Sequence, residues 1–416
     1  MTTPFPNLIF PSGDTTGATD LAAINAALSE YSVALLTPGQ YYTNGAIEPP
    51  ASACILAGSG PGATVINCLS SSAHGIYTSG LSNIAIRGLN LTGPGDSATS
   101  YDGIHLDTPS AAISNIDLEN LIITRFGRNG VYLNTPIVSS ITNVIVSYCA
   151  ENGFDLLDGT SLTLTASYAN NVSNFGFLLN GMSYSKLNGC ASDFGVWGYY
   201  LEGCRGIDAA GCGAEDQTDG GWQITESCAA ITLASCVNRG NPGVACLVTG
   251  DSADVTLIGF TEESPGSGAT ASIEVDAGSS AVVISPNVIT ATDYATGTTT
   301  TVLPGLAWNY VGAAGQPGFD PGWSNRGSGW AQLAFRLTDD RTVWIKGWVA
   351  NSNVTNVRLF TLPSGYMPAS QQTIVGYGYG RAIQWNVGTS GVVGYASAAM
   401  PATGNYYIDG FVSLDL

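Results

Sequence analysis

The sequence contains little positive charge. Lysine occurs only at Lys186 and Lys346, and the first basic residue of any kind is Arg87. Twelve Lys and Arg residues stand against 31 Asp and Glu residues, which gives a net charge of −19. A nucleic-acid-binding protein needs cations to neutralise phosphates. We therefore expect that this protein does not bind DNA or RNA.

Targeting and membrane-spanning segments are also missing from the sequence. The first ten residues, MTTPFPNLIF, include no basic residue and no long apolar run, so we expect no secretory signal. No stretch approaches the ~18 consecutive apolar residues of a membrane-spanning helix. We expect a protein that is made in the cytoplasm and does not insert into membranes.

Residues that usually hold metal ions are scarce. The nine cysteines end at Cys246 without a CxxC pair, and His74 and His105 are the only histidines. This pattern lacks the Cys/His spacing of zinc sites. The sequence therefore predicts no metal site and no cofactor, and the cysteines are expected to be small buried residues.

Glycine, by contrast, is abundant, with 53 residues, and many glycines begin a short repeated pattern. The pattern is Gly followed by residues that alternate in polarity. Its copies are GIHLD from Gly103, GVYLN from Gly130, GFDLL from Gly153, GFLLN from Gly176, GYYLE from Gly198 and GWQIT from Gly221, with GVACL from Gly243 and HGIYTS around Gly75 as further copies. Short strands repeated every 22 to 27 residues predict a solenoid, here a parallel β-helix. Equivalent residues then stack about 4.8 Å apart.

The rest of the chain divides around this repeat. Residues 1–20 are predicted to be an N-terminal extension and 21–290 the β-helix, whose first coil is capped by an amphipathic helix in TDLAAINAALSEY. Thr19 or Asp20 is the expected N-cap of this helix. Residues 291–305, rich in Thr and Gly, are a predicted linker. Alternating strands interrupted by Gly, Pro and Asn predict an antiparallel, jelly-roll-like β-sandwich over 306–416.

The repeat also predicts which side chains face outward. The first and third residues after each glycine are apolar and are expected to point inward, including an aromatic column of Phe154, Phe177, Tyr199 and Trp222. The second and fourth residues then form an outer row of acids, amides and aromatic residues, a mixture that suits sugar binding. The predicted carbohydrate-binding residues are His105, Tyr132, Asn134, Asn180, Tyr200 and Gln223. A solvated or subunit-contacting face remains the alternative.

Three acids in this row are candidate catalytic residues. Glycoside hydrolysis needs two carboxyl groups, about 5–5.5 Å apart for retention or about 6.5–9.5 Å apart for inversion. Asp155 lies two predicted coils from both Asp107 and Glu202, or about 9–10 Å. The candidate pairs are therefore Asp155 with Asp107 and Asp155 with Glu202, and His105 could carry protons beside Asp107.

Two parts of the sequence resemble known families. GDTTGATDLAAINAAL, LLTPGQYYTNG and LAGSGPGATVI, between Gly13 and Ile66, resemble the first coils of pectate-lyase-like right-handed β-helix proteins, a start shared by many viral tailspikes. TVWIKGWVANSN, LFTLPSGYMP, IQWNVGTSGVV and YYIDGFVSLDL resemble the β-sandwich domain that ends many bacteriophage tail fibres. The polygalacturonase motifs Asn-Thr-Asp, Gly-His-Gly and Arg-Ile-Lys are absent, so no catalytic residue is implied.

These resemblances imply a virion tail protein, made in the host cytoplasm and acting at the host cell surface. They imply a homotrimer that contacts host surface polysaccharide and other phage tail proteins. Three functions are compatible with the sequence. The preferred hypothesis is a receptor-binding tail fibre or tailspike without enzyme activity. The alternatives are a tailspike depolymerase, either hydrolase or lyase, and a purely structural tail component.

Overall fold

The structure is a computed structural model of the 416-residue chain. It describes residues 7–95, 100–108, 111–263, 266–267, 272–276, 278–284, 294–296, 301–303, 308–313, 316–327, 329–337, 342–353, 355–378, 380–397 and 403–414. Within the predicted linker, only the backbone of 294–296 and 301–303 is described, and the rest of 291–305 lies outside the described residues.

The described residues form one α-helix and forty short strands in two compact units, Met1–Val282 with Asn287–Thr300 and Val283–Pro286 with Thr301–Leu416. The helix is α1 (Ala18–Tyr31). The strands that precede the repeat and its first coils are β1 (Leu8–Ile9), β2 (Val33–Leu36), β3 (Gly39–Thr43), β4 (Ile55–Ala57), β5 (Thr64–Cys68), β6 (Ile76–Ser79), β7 (Ala85–Thr92), β8 (Ile104–Asp107), β9 (Ile113–Ser114) and β10 (Asp117–Thr124).

The central coils follow without long interruptions. Their strands are β11 (Val131–Asn134), β12 (Pro136–Ser147), β13 (Phe154–Leu157), β14 (Thr160–Thr165), β15 (Tyr168–Asn170), β16 (Phe175–Asn180), β17 (Lys186–Asn188), β18 (Ala191–Asp193), β19 (Trp197–Glu202), β20 (Arg205–Ala210), β21 (Gly213–Glu215), β22 (Gly220–Thr225), β23 (Ala229–Ala234) and β24 (Val237–Arg239).

The last coils and the second unit complete the chain. Their strands are β25 (Cys246–Val248), β26 (Ala253–Ile258), β27 (Thr261–Glu263), β28 (Ile273–Val275), β29 (Ala281–Ile284), β30 (Tyr294–Thr296), β31 (Thr301–Leu303), β32 (Asn309–Tyr310), β33 (Trp323–Asn325), β34 (Ala334–Leu337), β35 (Thr342–Asn351), β36 (Arg358–Thr361), β37 (Gln372–Gly378), β38 (Arg381–Val387), β39 (Val392–Tyr395) and β40 (Gly404–Ser413).

Helix α1 begins after Gly17, whose φ of +83° places it in the left-handed region. The predicted N-caps Thr19 and Asp20 are therefore wrong, since both lie inside the helix. Asp20 is buried instead, and its carboxylate accepts backbone N–H bonds of 2.9 Å from Ser12 and Tyr42. These two bonds fix the helix against β3, in the position that the sequence predicts for a capping element.

The predicted parallel β-helix is confirmed. Ten parallel strands of the described chain form the sheet that carries the repeat, which we call the repeat sheet (β6, β8, β11, β13, β16, β19, β22, β25, β28 and β30). A second sheet of 21 strands supplies the other walls of the coils. Each repeat-sheet strand pairs in register with the next, for example Val131 with Phe154 and Phe154 with Phe177.

The interior of the coils is filled by the predicted apolar column. Phe154, Phe177, Tyr199 and Trp222 are buried, and successive ring centroids lie 4.7, 4.9 and 3.8 Å apart with nearly parallel planes. The sequence pattern places its last copy two residues too early, because Cys246 and not Val244 pairs with Trp222. Trp222 and its partner Cys246 are 24 residues apart, whereas Tyr199 and its partner Trp222 are 23 residues apart.

The repeated glycines are required by close packing rather than by unusual backbone angles. A Cβ atom at Gly130 would lie 2.2 Å from Val146 Cγ1, and one at Gly176 would lie 2.0 Å from Ser192 Oγ. Gly130 precedes β11 and Gly176 is the second residue of β16, and the side chains that a Cβ atom would meet, Val146 and Ser192, are on strands of the second sheet. The glycine therefore allows the two sheets to approach closely at this point of the coil.

The strands from β32 onward are antiparallel, as predicted, but they belong to one sheet. Eight strands follow the order β32-β34-β35-β40-β37-β38-β39-β36, and β33 pairs with β35, giving nine strands over the described residues. One buried cluster forms its core and includes Phe335, Trp385 and Tyr406. The predicted two-sheet sandwich is thus refined to a single curled antiparallel sheet around one core. Among the described residues, no helix has the length and apolar character needed to cross a membrane.

Candidate functional site

The outer face of the repeat sheet carries all the predicted site residues in two parallel columns. His105, Tyr132, Asp155, Leu178, Tyr200 and Gln223 occupy one column through successive pairings. Asn134, Leu157, Asn180 and Glu202 occupy the next, and Asp107 ends β8 beside it. Their inward neighbours are buried, so the predicted inside and outside positions are confirmed. Asp155 and Thr225 are exceptions, because only 8% and 6% of their surfaces are exposed.

A polar ladder lies at the position that precedes each repeated glycine. His74, Asp102, Asn129 and Asn152 occupy this position in four successive coils. The Asn129 backbone N–H donates to Asp102 Oδ1 over 2.9 Å, and the Asn152 backbone N–H donates to Asn129 Oδ1 over 3.1 Å. Sequence reasoning missed this ladder, although the dipeptides His-Gly, Asp-Gly and Asn-Gly at the start of successive copies could have indicated it.

Asp102 is the centre of the site. Its side chain is fully buried, and its Oδ2 lies 2.6 Å from His105 Nδ1 and 3.7 Å from a guanidinium nitrogen of Arg128. Because a carboxylate can only accept, His105 Nδ1 donates, which leaves Nε2 as the ring nitrogen able to take a proton. A buried carboxylate in this position orients the imidazole and stabilises its protonated form.

Aromatic rings surround the two histidines. His105 stacks on Tyr132 with centroids 4.4 Å apart and planes inclined by 13°. His74 lies 4.1 Å from the His105 ring and contacts Tyr77 and Tyr101. Burial, followed by the nearby His105, lowers the pKa of His74 to about 4, so this ring is neutral at neutral pH.

Asp155 joins the same group through Asn129. The Asn129 side-chain amide donates to Asp155 Oδ2 over 3.1 Å, while Asp155 Oδ1 is covered and accepts no hydrogen bond within the described chain. Burial, and then the charge of Asp102, raises the pKa of Asp155 to about 6. We call His74, Asp102, His105, Arg128 and Asp155 the Asp102 cluster.

The structure brings only some of the predicted residues together. His105, Tyr132 and Asp155 are consecutive in one column, and Asp107 Oδ2 lies 3.4 Å from His105 Nε2. Tyr200 stacks instead on Phe175, with centroids 4.5 Å apart.

Two other predicted binding residues lie farther along the repeat sheet. Asn180 is on β16, which pairs with β13, and Gln223 is on β22, three strands from β13. Asn134 is on β11, the strand of Tyr132, and its Oδ1 accepts a hydrogen bond from the Thr135 hydroxyl.

The two candidate carboxylate pairs are offset along the strands. Asp155 pairs through Leu178 with Tyr200, two residues before Glu202, and Asp107 likewise lies two residues beyond His105. Two strand spacings combined with this offset place the backbones about 12 Å apart. The separation of the carboxyl groups themselves stays a prediction.

One group of described residues has the composition of a metal site. Ligand atoms of His74, Asp102 and His105 all lie within 4.8 Å of one another. The direct His105–Asp102 hydrogen bond and the Arg128 charge also account for this arrangement, and a nearby guanidinium disfavours a cation. We therefore derive no step through a metal, and the absence of a metal site stays a prediction.

The chemistry available to the cluster is proton transfer. His105, oriented by Asp102, can accept a proton, and Asp155 can donate one because its pKa is near neutrality. Arg128 contributes a fixed positive charge, half-buried between Asp102 and Glu151, whose Oε2 lies 3.2 Å from Arg128 Nε. An acid, a base and a cation on an outer face with aromatic neighbours can act on a polar, ring-shaped substrate.

Comparison with known proteins identifies the fold. Residues 102–261 match the family described as the right-handed beta helix region. No curated protein sequence matches the chain significantly.

Among solved structures, the chain is similar to the enzymatically active domain of tailspike protein 2 from bacteriophage CBA120. The TM-score is 0.54 at 12% identity, and the match covers 94% of this chain and 70% of that one. The full-length tailspike protein 2 of this Escherichia coli O157:H7 phage gives a TM-score of 0.58 at 13% identity, covering 95% of this chain and 61% of that one.

A carbohydrate-degrading enzyme is similar in fold over part of the chain. The catalytic unit of the GH87 alpha-1,3-glucanase of Streptomyces thermodiastaticus gives a TM-score of 0.50 at 13% identity, with 71% of this chain and 68% of that one covered. At these identities the similarities establish a shared right-handed β-helix. The chain spans less than two thirds of the full-length tailspike.

Proposed function

We propose that this protein is a phage tailspike that binds and cleaves a host cell-surface polysaccharide on the outer face of the repeat sheet. The observation that carries the proposal is the Asp102 cluster. It places a histidine oriented by a buried carboxylate close to a second carboxyl group with a pKa of about 6. The shared fold with a tailspike domain described as enzymatically active is consistent with this proposal.

The mechanism assigns one role to each group that faces the substrate. His105 Nε2 takes a proton from the substrate or from an attacking water, while Asp102 stabilises the imidazolium that forms. Asp155 donates a proton to the leaving glycosidic oxygen, because its burial keeps it partly protonated near pH 6. Tyr132, which stacks on His105, supports a sugar ring at this position.

Attachment without cleavage is the second candidate. It is favoured by the burial of Asp155, which is only 8% exposed and whose Oδ1 is covered. The row of Tyr132, Tyr200 and Gln223 extends beyond the cluster and offers rings and amides to a longer glycan. In either case we propose a virion tail component, assembled as a homotrimer with other tail proteins.

The two candidates separate in one experiment. The purified protein is incubated with capsular and O-chain polysaccharides from bacterial strains that it stains, and new reducing ends and unsaturated sugars are measured. If the protein cleaves polysaccharide, the parent releases these products, and so does the control variant Asp208→Asn, which changes an exposed residue of the second sheet. The rate of product release is expected to fall by at least about 100-fold in Asp155→Asn.

The products also distinguish the type of cleavage. Unsaturated sugars among the products indicate elimination. New reducing ends without unsaturated sugars indicate hydrolysis. Staining of cells without release of any product overturns the enzymatic proposal and supports attachment. An absence of both staining and release overturns both candidates.

A further inference from the structure

The position that precedes each repeated glycine changes character along the repeat sheet. It is polar in four successive coils, ending at Asn152, and the next three coils place Phe175, Trp197 and Gly220 there. Phe175 pairs with Trp197, and Trp197 pairs with Gly220, so these residues continue the polar ladder in register. The two aromatic residues therefore lie at the same edge of the repeat sheet as the Asp102 cluster, several coils farther along.

A glycine makes room for the Trp197 ring. A Cβ atom at Gly220 would overlap the six-membered ring of Trp197, so this ring lies across the backbone of the next coil. Among the described residues, no ring lies against Trp197 in the way that Tyr200 lies against Phe175, with centroids 4.5 Å apart. The fold therefore holds the Trp197 ring in place without stacking it on another aromatic residue.

The Trp197 ring forms one wall of a cavity of about 300 Å³. We call it the Trp197 cavity, and its lining residues include Trp197, Thr218, Asp219, Pro242, Val244 and Leu247. This volume is at the lower end of the range of small-ligand pockets. Leu247 pairs with Gln223, and Gln223 pairs with Tyr200, so the cavity lies on the outer face of the repeat sheet.

The polar groups of the cavity come from one loop. Thr218 and Asp219 are exposed, and their backbone N–H groups donate to the carbonyls of Gly195 and Val196 over 2.8 and 3.0 Å, which fixes the loop against the preceding coil. Of the described residues, one hydroxyl, one carboxylate and no cation line the cavity. A carboxylate accepts hydrogen bonds from sugar hydroxyls and repels an acidic sugar. An indole ring beside these groups therefore suits a neutral sugar unit.

We propose that the Trp197 cavity is a subsite for a neutral sugar unit of the polysaccharide that the Asp102 cluster cleaves, an inference that rests on the proposed function. Asp155 is connected through successive pairings to Leu247, four strands away, or about 19 Å along the coils. A sugar unit adds about one strand spacing, ~5 Å, to an extended glycan. A fragment of about five or six units is therefore the shortest that reaches both places, and Tyr200 and Gln223 lie along its path.

The test uses capsular polysaccharide from a strain that the protein stains, cut by partial acid hydrolysis into fragments of known length. Calorimetry measures their binding to full-length Asp155→Asn, in which cleavage is suppressed. Fragments of six or more units are expected to bind at least about tenfold more tightly than fragments of two or three. Adding Trp197→Ala is expected to remove most of this difference, whereas Trp197→Phe keeps a ring and retains affinity within about threefold. Asp219→Ala, at an exposed position, is expected to weaken binding of long fragments by about threefold or more.

The matched control is Tyr184→Ala, which removes an aromatic side chain that is 67% exposed outside the repeat sheet. Equal affinity for short and long fragments, unchanged affinity in both Trp197→Ala and Asp219→Ala, or equal weakening in Tyr184→Ala would overturn the subsite. A changed oligomeric state of Trp197→Ala in sedimentation would identify a contact between copies of this chain and also overturn it. If the parent still releases products, these outcomes leave the proposed function standing. An absence of staining, of fragment binding and of product release overturns both.

Discussion

At the scale of single residues, Asp155 is a group whose ionisation opposes folding. Its pKa is 3.8 in an unfolded chain and about 6 in the folded protein, so the folded state binds more protons between these values. Its contribution to the free energy of unfolding therefore falls as the pH rises through this window. Asp155 is nearly covered, and solvent screens it little.

Asp155→Asn removes this titration while keeping a side-chain oxygen for the Asn129 amide. We compare the free energy of unfolding of the variant with that of the parent. This difference is expected to shift in favour of the variant by about 3 kcal/mol or less between about pH 4 and about pH 8. Urea unfolding at the two pH values measures the difference. An equal stability change at both would show that Asp155 ionises normally in the folded protein.

Asp102 differs from Asp155 because its buried carboxylate lies against a histidine and an arginine. Asp102→Asn removes this carboxylate from His105 and Arg128, which are partly exposed and keep Asp107 and Glu151 as partners, so the penalty is reduced. We expect a loss of about 2 kcal/mol in stability and loss of any polysaccharide cleavage. Asp155→Asn is expected to lose the same activity while gaining stability at neutral pH.

The matched control for Asp102→Asn is Asp117→Asn. Asp117 also pairs with an arginine, Arg87, but both side chains are substantially exposed, so less than about 1 kcal/mol is expected. Urea midpoints and release of reducing ends from polysaccharide are compared for the two variants. Similar urea midpoints for the two variants would contradict the expectation that Asp102 stabilises the folded protein more than Asp117 does.

At the scale of elements, the repeated glycine at or just before the start of a repeat-sheet strand sets the distance between the two sheets. Gly176→Ala places a methyl group against Ser192, and the neighbouring strands have to move apart. We expect a loss of about 2–3 kcal/mol, in the range of overpacked cores. Gly213 also begins a strand, but a Cβ atom added there would meet no other atom within 4 Å, and its φ is not positive.

Gly213→Ala is therefore expected to change stability by no more than about 0.5 kcal/mol. Thermal or urea unfolding of the two variants, with circular dichroism as the probe, provides the comparison. Equal effects would mean that the glycines of the pattern reflect backbone preference rather than packing.

The strands could be predicted because their repeat depends on local alternation. The inward column of Phe154, Phe177 and Trp222 follows directly from a period of two within strands and about 23 between coils. The Asp102 cluster could not be predicted in the same way. Asp102 and His74 precede the glycines, in a turn that alternation does not describe, and their contact depends on stacking of successive turns.

Position within a strand also matters for the candidate carboxylate pairs. Counting coils gives the separation across strands but not the two-residue offset along them, so the backbones of Asp155 and Glu202 are farther apart than two strand spacings. The burial of Asp155 is also missed by alternation, because an outward-facing residue is covered here by its neighbours in the turn. In the second unit, alternation predicts the strands but not their pairing into one sheet, which depends on contacts distant in sequence.

At the scale of the whole molecule, the net charge of −19 makes the stability of the fold sensitive to salt. Repulsion among the excess acidic residues destabilises the folded chain, and added salt screens that repulsion.

Raising NaCl from about 10 to about 150 mM is expected to increase the unfolding temperature by about 2 °C or more. Calorimetry measures the change, with sucrose at equal osmolality as the uncharged control. An unfolding temperature that falls with NaCl would show that local ion pairs such as Arg239–Glu215, and not net repulsion, dominate the electrostatic free energy of folding.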